Sequence, residues 1–483
     1  AAVHERYDSV ESDQLVPLLQ QVVRFPTFAG NAQAIEDQKS WLIDIAATLG
    51  FETRDAGTVF EIELPGPEGA PVLGLVVHGD VVPVEPDAWS FSPFEAEVRG
   101  DTILGRGVAD DKGPLVQALL AMKSLAESGL NRTHTIRLLV GTDEESAGAT
   151  DMQEYLGSYE PPAYSLVLDS EFPVVVGEKG WNAPTFTAHD VERPEPSRKP
   201  YSVSSLDAGI ATSIVPDRAE LTLHWRQGEA EWTSFLEEVR SREVPDGLEL
   251  SVDESGGALQ LVVSGKSAHA GVNLEGGRNA LIGLARLTDG LLPAGGASDL
   301  LAFAAMAGRD LYGSGLGITD RDPLWGRYAV NVATIKEAES GDLVLTINVR
   351  RIPPRTGAQL REYLEGVVEE FNAAHGSELV IAGYFEDEPL AFDPNSQLVR
   401  RLLAIYERTM GERLGPAISG GGTYAKRLPR AIAFGMWFPN APYTGHDVDE
   451  HASITDLHSG THVLIEALVD LATNEPLASP FSE

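Results

Sequence analysis

The stretch Val72-Leu-Gly-Leu-Val-Val-His-Gly-Asp80 decides the fold of this chain. Its first six residues follow Pro71 and are apolar apart from one glycine, a pattern typical of a strand buried on both faces of a sheet. The polar residues His78 and Asp80 come directly after this apolar run. In open α/β sheets, binding and catalytic side chains stand at the carboxyl ends of the strands. The stretch therefore predicts a buried strand that ends in a functional site.

Two further apolar runs have the same form. Residues 135–140 lead into Gly141-Thr-Asp-Glu-Glu145, and residues 164–168 lead into Asp169-Ser-Glu171. Helical patterns occupy residues 10–25, 33–49 and 113–128. Strands that alternate with helices predict an α/β fold whose sheet is at least partly parallel.

The domain organisation follows from a change of character along the chain. A length of 483 residues favours two domains, because a single core rarely grows beyond about 250–300 residues. Residues 190–200 are polar and rich in proline, as in a loop or boundary. We therefore predict a catalytic domain with a mixed sheet flanked by helices, formed by residues 1–187 and 383–483. An α+β lid domain, residues 188–382, is inserted into it.

The composition narrows the classes of function. The chain has no cysteine, so disulfides, thiolate metal ligands and a cysteine nucleophile are excluded. A formal net charge of −37 argues against a nucleic-acid partner, because phosphate binding needs a positive face. The chain has no run of about 18 apolar residues, the length needed to cross a membrane. Residues 1–6 show no secretion signal. We expect a cytoplasmic protein that binds neither nucleic acid nor a membrane.

Four groups of acidic and imidazole side chains follow predicted strands or precede a predicted helix. Alone, each group has a simpler interpretation as a hydrogen-bonded loop, a helix cap or a solvated surface. Together, like charges that converge on one crevice would raise each other's pKa values unless a cation neutralised them. Histidine and carboxylate ligands without thiolates suit Zn²⁺, Mn²⁺ or Co²⁺. The sequence therefore predicts a metal site.

Two metal ions about 3.5–4 Å apart would need a bridging carboxylate and a general base for the attacking water. The adjacent Glu144 and Glu145 can supply one base and one ligand. Near the C-terminus, His446, His451 and His458 compete as the remaining imidazole ligand, and the sequence alone does not separate them.

These residues together resemble the co-catalytic dizinc metallopeptidase family of aminoacylases, glutamate carboxypeptidases, desuccinylases and carnosinases. Within that family, the likeness is greatest to PepV-type dipeptidases, which are similar to Xaa-His dipeptidases. The motifs occur in the family's order and span residues 78 to 450, most of the chain. The matching segments are His78–Asp80, Gly105–Gly113, Thr142–Glu145, Asp169–Pro173 and His446 with Glu450.

The resemblance implies two zinc ions per chain, with Mn²⁺ or Co²⁺ as substitutes. It assigns His78 and Asp169 to one ion and Glu145 and His446 to the other. It makes Asp110 the bridge, and it implies a cis peptide bond after that residue.

The resemblance also implies roles outside the ligand set. Asp80 would orient the imidazole of His78, since metal-bound histidines need such support. Glu144 would be the general base. In the predicted lid, His269 would contact the oxyanion of the scissile carbonyl, and Arg350 would bind the substrate carboxylate.

The glycine-rich segment Gly420–Lys426 resembles a loop of the PepV subgroup. There, backbone N–H groups of Gly421, Gly422 and Thr423 would receive the C-terminal carboxylate of the substrate. One departure is Ser213, which stands where the family commonly has an asparagine that helps the oxyanion. A shorter hydroxyl donor at this position would alter the substrate range or the rate.

We expect a dipeptidase that acts on a small peptide, in which water attacks the peptide carbonyl and Glu144 transfers its proton to the leaving amine. An N-acyl amino acid deacylase or desuccinylase of the same family is the alternative, and it would prefer acylated substrates. A binding protein that has lost catalysis is a third possibility, although such a protein would lack the base or a ligand. The long inserted domain resembles the doubled lid of PepV-type enzymes, which in that family completes the site within one chain, and this resemblance implies a monomer.

Overall fold

The computed structural model describes residues 2–146, 150–189, 199–226 and 231–482. The helices are α1 (Ala2–Arg6), α2 (Leu15–Val23), α3 (Ala32–Leu49), α4 (Lys112–Ala126), α5 (Asp151–Leu156), α6 (Thr233–Ser241), α7 (Ala280–Thr288), α8 (Gly296–Ala307), α9 (Gly357–His375), α10 (Gln397–Met410) and α11 (Ile454–Thr473). The strands are β1 (Glu52–Asp55), β2 (Val59–Leu64), β3 (Val72–His78), β4 (Glu97–Arg99), β5 (Thr102–Leu104), β6 (Thr135–Gly141), β7 (Tyr164–Val167), β8 (Ser170–Glu171), β9 (Val175–Glu178), β10 (Gly180–His189), β11 (Tyr201–Ala208), β12 (Arg218–Trp225), β13 (Glu249–Ser255), β14 (Ala258–Ser264), β15 (Arg321–Asp322), β16 (Gly326–Arg327), β17 (Ala329–Glu337), β18 (Leu343–Arg351), β19 (Glu378–Asp387), β20 (Leu390–Ala391), β21 (Ala417–Ser419), β22 (Ala431–Ala433), β23 (Met436–Trp437) and β24 (His451–Ser453).

The chain forms two compact units. The first comprises Ala1–Glu178 and Leu390–Glu483, and the second comprises Lys179–Pro389. The boundaries predicted after residues 187 and 382 therefore fall inside β10 and β19, which pair with each other in the second unit. The prediction relied on the proline-rich stretch 190–200, but β10 has already begun before that stretch. Residues 190–198 lie outside the described part of the chain.

The first unit is built on a mixed sheet in the order β1-β2-β6-β3-β7-β22-β9-β20, with β21 beside β9. The central strand β3 is parallel to both β6 and β7, whereas β1, β2 and β20 join through antiparallel pairs. Strand β3 is buried along most of its length, as its apolar sequence predicts. The predicted α/β fold with a mixed sheet flanked by helices is confirmed.

Local signals account for both ends of α3, whereas one helix prediction was wrong. Helix α3 begins where the Asn31 side chain accepts a hydrogen bond from the N–H of Ala34, and it ends at Gly50 with φ of 81°. The predicted helix at 10–25 is instead three pieces: a π-turn, a 3₁₀ turn and α2. Pro17 lies in the first turn of α2, where the missing N–H has no partner to lose.

The second unit has an antiparallel sheet in the order β13-β14-β12-β11-β17-β18-β10-β19. Its core is formed by apolar side chains of this sheet and of α6 to α9. A separate ribbon of two short strands, β15 and β16, also belongs to this unit. Within the described residues, no helix has the length and apolar character needed to cross a membrane.

Candidate metal centre

The parallel register of the first sheet brings three polar segments to one edge. His78 at the end of β3 pairs with Gly141 at the end of β6, just before the loop of Glu144 and Glu145. On the other side, Val76 of β3 pairs with Val167, two residues before Asp169. Because neighbouring parallel strands end at the same edge, these side chains lie together.

Two groups of potential metal ligands share one aspartate. His78, Asp110 and Asp169 form the first group, and Asp110, Glu145 and His446 form the second. Within each group the ligand atoms lie within 4.8 Å of one another. All five residues that the sequence proposes as ligands are therefore brought together.

Asp110 directs one carboxylate oxygen to each group. Its Oδ1 lies 3.0 Å from Nε2 of His78, and its Oδ2 lies 3.4 Å from Nε2 of His446. The outer carboxylates are close as well, with Asp169 Oδ2 3.8 Å from His78 Nε2 and Glu145 Oε1 2.8 Å from His446 Nε2. A carboxylate shared in this way has the form of a bridge between two cations. The peptide bond after it, Asp110–Asp111, is cis, as the resemblance implies.

The orientation of His78 fits a metal ligand. Its Nδ1 lies 3.0 Å from the backbone oxygen of Asp80, which can only accept a hydrogen bond, so the proton belongs on Nδ1. The lone pair of Nε2 then faces the carboxylate oxygens of Asp110 and Asp169, an unfavourable contact unless a cation or a proton lies between them. The donor set of imidazoles and carboxylates therefore fits a divalent metal ion such as zinc.

Two acidic side chains at this edge, Asp169 and Glu144, have pKa values above their usual range. Burial is the main cause that raises the pKa of Asp169 well above its usual value, and the charges of Asp110 and Asp111 add to it. Burial also raises the pKa of Glu144, as do the charges of Glu145 and Asp80, although His78 acts in the opposite direction. A bound cation would favour the ionised forms and displace these protons.

The carboxylate of Asp80 holds the loop that carries Glu144 and Glu145. Its Oδ1 accepts a hydrogen bond from the N–H of Glu144 at 3.2 Å, and its Oδ2 accepts one from the N–H of Glu145 at 2.9 Å. The predicted contact of this carboxylate with His78 is longer, 3.5 Å from Nδ1. Asp80 therefore contacts His78 through its backbone oxygen and contacts the loop of Glu144 and Glu145 through its side chain.

Asp151, which the sequence analysis missed, holds the other half of the same loop. Its buried Oδ2 accepts hydrogen bonds from the N–H groups of Thr142 and Asp143, at 2.9 and 3.2 Å, and from the hydroxyl of Tyr424. Two carboxylates thus bind four successive N–H groups, from Thr142 to Glu145. In the sequence, Asp151 has the appearance of an acidic residue in the first turn of a short helix.

Asp151→Asn is expected to lower kcat/KM about 10–100-fold, the usual effect of removing support from a metal site. In either orientation of the asparagine amide, its NH₂ group would face a backbone N–H from which the carboxylate now accepts a hydrogen bond. Two donors facing each other cannot form that bond. The measurement is kcat/KM together with zinc content. The control is Asp143→Asn, a neighbour whose carboxylate accepts a hydrogen bond from the N–H of Thr150. Equal activity of the two variants would contradict the assigned role.

A third buried carboxylate, Glu450, supports the segment before Asp110. It accepts hydrogen bonds from the Arg106 guanidinium at 2.7 Å and from the N–H groups of Gly107, Ala109 and Asp110 at 2.9 to 3.2 Å. Hydrogen bonds to charged groups are each worth about 1.5–3 kcal/mol. The segment is therefore held rigidly from within the protein.

Tyr443 is a second residue that the sequence analysis missed. Its hydroxyl donates a hydrogen bond to Oδ2 of Asp110 at 2.5 Å. Burial and the charge of Asp110 raise its pKa well above the usual value, so the hydroxyl keeps its proton and remains a donor. No spacing or pattern marks this tyrosine in the sequence.

The structure separates the three competing histidines. Only His446 belongs to a ligand group among the described residues. His451 directs Nδ1 to the backbone oxygen of Asp449 at 2.9 Å. His458 lies in α11, and its Nδ1 is 2.7 Å from the hydroxyl of Tyr7.

Two N–H groups of the glycine-rich loop form hydrogen bonds within the protein, which the sequence analysis does not predict. The N–H of Gly421 donates to the Ser419 hydroxyl at 3.0 Å. The N–H and hydroxyl of Thr423 donate to the buried carboxylate of Glu178, at 3.0 and 2.7 Å. These two N–H groups, which with Gly422 were predicted to receive a substrate carboxylate, therefore already have acceptors within the first unit.

The remaining predicted residues belong to the second unit. His269 accepts hydrogen bonds on Nδ1 from the N–H groups of Gly271 and Val272, at 3.0 and 2.9 Å, so its proton belongs on Nε2. The segments of Ser213 and His269 run side by side, because Ala270 N–H donates to the Ser213 carbonyl oxygen at 2.8 Å. The buried Arg350 lies with its guanidinium carbon 4.9 Å from the centre of the Trp181 ring.

Comparisons with known proteins agree with this geometry. The family model of Peptidase family M20/M25/M40 matches residues 74–470. A Bacillus subtilis (strain 168) protein named "Putative dipeptidase YtjP" is 29% identical over 433 residues, which cover 89% of each chain. Human carnosine dipeptidase 1 has a similar structure, with a TM-score of 0.61 over 97% of this chain and 98% of its own, at 11% identity. The structure of Dug1p, a di-peptidase from Saccharomyces cerevisiae, has a TM-score of 0.60 over 97% of this chain and 98% of its own, at 13% identity.

The two structural likenesses show a shared fold, and the family match covers most of the chain. The match includes every residue of the two ligand groups. The resemblance inferred from the sequence motifs is confirmed, and it makes the protein a metal-dependent hydrolase of peptide-like bonds. The chain belongs to peptidase family M20/M25/M40.

Proposed function

We propose that this protein is a dipeptidase that uses two zinc ions and Glu144 as its general base. The observation that carries the proposal is the position of Asp110, which directs one oxygen to each of two ligand groups. A single metal ion would need no such shared carboxylate. His78 and Asp169 would bind one ion and Glu145 and His446 the other.

The chemistry divides between the metal ions and the protein. Two bound zinc ions would polarise the scissile carbonyl and lower the pKa of a water to about 7. Glu144 accepts the proton of the attacking water and delivers it to the leaving amine. Asp80 and Asp151 keep the loop of this base in place.

The second unit supplies the proposed substrate contacts. With its proton on Nε2, His269 is a hydrogen-bond donor and suits an oxyanion. Arg350 would bind the C-terminal carboxylate, since a planar guanidinium can make two parallel hydrogen bonds to it. Ser213 would contribute a hydroxyl near His269. The names of the Bacillus subtilis relative and of the two solved structures support a dipeptide as the substrate.

Metal-stripped protein should cleave neither free dipeptides nor their N-acylated forms. Added Zn²⁺, Mn²⁺ or Co²⁺ is expected to restore cleavage of the free dipeptides, because the clustered carboxylates and imidazoles need a cation. The measurement is kcat/KM for matched pairs of free and acylated substrates. Cleavage confined to acylated substrates would make the protein a deacylase of the same family. Turnover that is unaffected by metal removal would contradict the proposed centre.

A further inference from the structure

The second unit contains a cavity of about 470 Å³ that is lined by basic side chains. Lys179, Arg321 and Arg327 contribute to its wall, and Glu275 is its one acidic lining residue. A net positive cavity is unexpected on a chain whose formal charge is −37. The wall also includes residues 271–274, which directly follow the His269 segment.

Two of the basic residues are placed against each other. Arg321 of β15 and Arg327 of β16 are direct partners across the two-stranded ribbon. Like charges at directly opposite positions of an antiparallel pair are destabilising. The ribbon has only two residues in each strand. The Arg327 guanidinium also lies over the Tyr312 ring, 4.8 Å from its centre, and this contact offsets part of the repulsion. An anion bound between the two guanidinium groups would remove it.

The neighbouring carboxylates are engaged elsewhere. Asp320 pairs with Arg355 at 3.2 Å, and Asp322 accepts hydrogen bonds from two N–H groups of the turn that follows it. Glu275 accepts a hydrogen bond from the hydroxyl of Tyr312. Among the residues that the structure describes, neither Arg321 nor Arg327 forms an ion pair.

The cavity adjoins the residue proposed to bind the substrate carboxylate. Arg350 of β18 pairs with Ala329 on one side and with Trp181 on the other. Ala329 lines the cavity, and Lys179 lies two residues before Trp181. Burial lowers the pKa of Lys179, and the charge of Arg350 lowers it further, as expected for two cations close together.

We propose that this cavity binds the acidic side chain of a dipeptide whose C-terminal residue is aspartate or glutamate. The proposal rests on the proposed dipeptidase function. Such a substrate carries two carboxylates at its C-terminal end, one for Arg350 and one for the cavity. An acidic protein repels such a substrate at long range, so local cations are required to bind it.

The test compares Ala-Glu with Ala-Gln, which has nearly the same shape but no side-chain charge. We expect the metal-loaded protein to have a kcat/KM about tenfold or more higher for Ala-Glu. Replacing both Arg321→Gln and Arg327→Gln should bring the two substrates to equal values, mainly through the KM of Ala-Glu. The control is Arg240→Gln, which removes an exposed charge from α6 of the same unit and should keep the preference.

Equal turnover of Ala-Glu and Ala-Gln by the unchanged protein would overturn the proposal, as would a preference that survives the double substitution. If the protein cleaves no dipeptide with any metal, the proposed function fails, and the cavity is judged by calorimetric binding of glutarate. Binding that is weakened by the double substitution but not by Arg240→Gln would support an acidic ligand. Absence of glutarate binding would overturn it.

Discussion

Glu144→Gln is expected to lower kcat by about 10²–10⁴-fold while the protein keeps its full metal content. Glutamine retains the size and polarity of glutamate but cannot accept the proton of the attacking water. The backbone N–H of residue 144 would still donate to Asp80, so the loop should remain in place. The loss should therefore appear in kcat, with little change in KM.

The measurements are steady-state kinetics and zinc content of the purified variant. Asp143→Asn is the matched control, since it removes a carboxylate from the adjacent position of the same loop. It should retain most of the activity. A Glu144→Gln protein with unchanged kcat would contradict the assignment of the base, and a variant that loses metal would make Glu144 a ligand.

Asp110→Asn is expected to leave at most one tightly bound metal ion per chain and to abolish nearly all turnover. The asparagine offers one oxygen, which can face either the group of His78 or the group of His446, but not both. Its amide NH₂ group, which cannot bind a metal ion, would take the place of the second carboxylate oxygen beside an imidazole nitrogen. The loss of one ion removes half of the centre on which the chemistry depends.

Zinc titration by calorimetry and elemental analysis would count the ions, and kcat would be measured at saturating metal. Asp87→Asn changes an exposed aspartate of the same unit and should bind metal as the unchanged protein does. Two tightly bound ions in the Asp110→Asn protein, with unchanged turnover, would exclude the bridging role.

The supporting carboxylates explain why these effects should be specific. Asp80, Asp151 and Glu450 are buried, and each accepts hydrogen bonds from backbone N–H groups of a loop that carries a proposed metal ligand or the proposed base. Such bonds fix the backbone of the loop rather than one side chain. A substitution of Glu144 or Asp110 therefore changes the chemistry of the site more than its shape.

The sequence by itself determined the parts of this protein that depend on local pattern. The apolar run that ends at His78 specified a buried strand, because a strand covered on both faces needs apolar residues on both. Asn31 and Gly50 specified the ends of α3 for similarly local reasons. The order of short motifs along the chain was enough to indicate the family.

Only the tertiary structure decided which residues meet. His446 contacts Glu145 across 301 positions of sequence, and neither local propensity nor spacing distinguishes it from His451 or His458. Asp151 and Tyr443 were missed because a buried hydrogen bond to a distant partner leaves no periodic pattern. The domain boundaries also depended on strand pairing, since β10 and β19 join through hydrogen bonds between segments about 200 residues apart. Local sequence fixes the elements, but long-range packing selects the side chains that form the site.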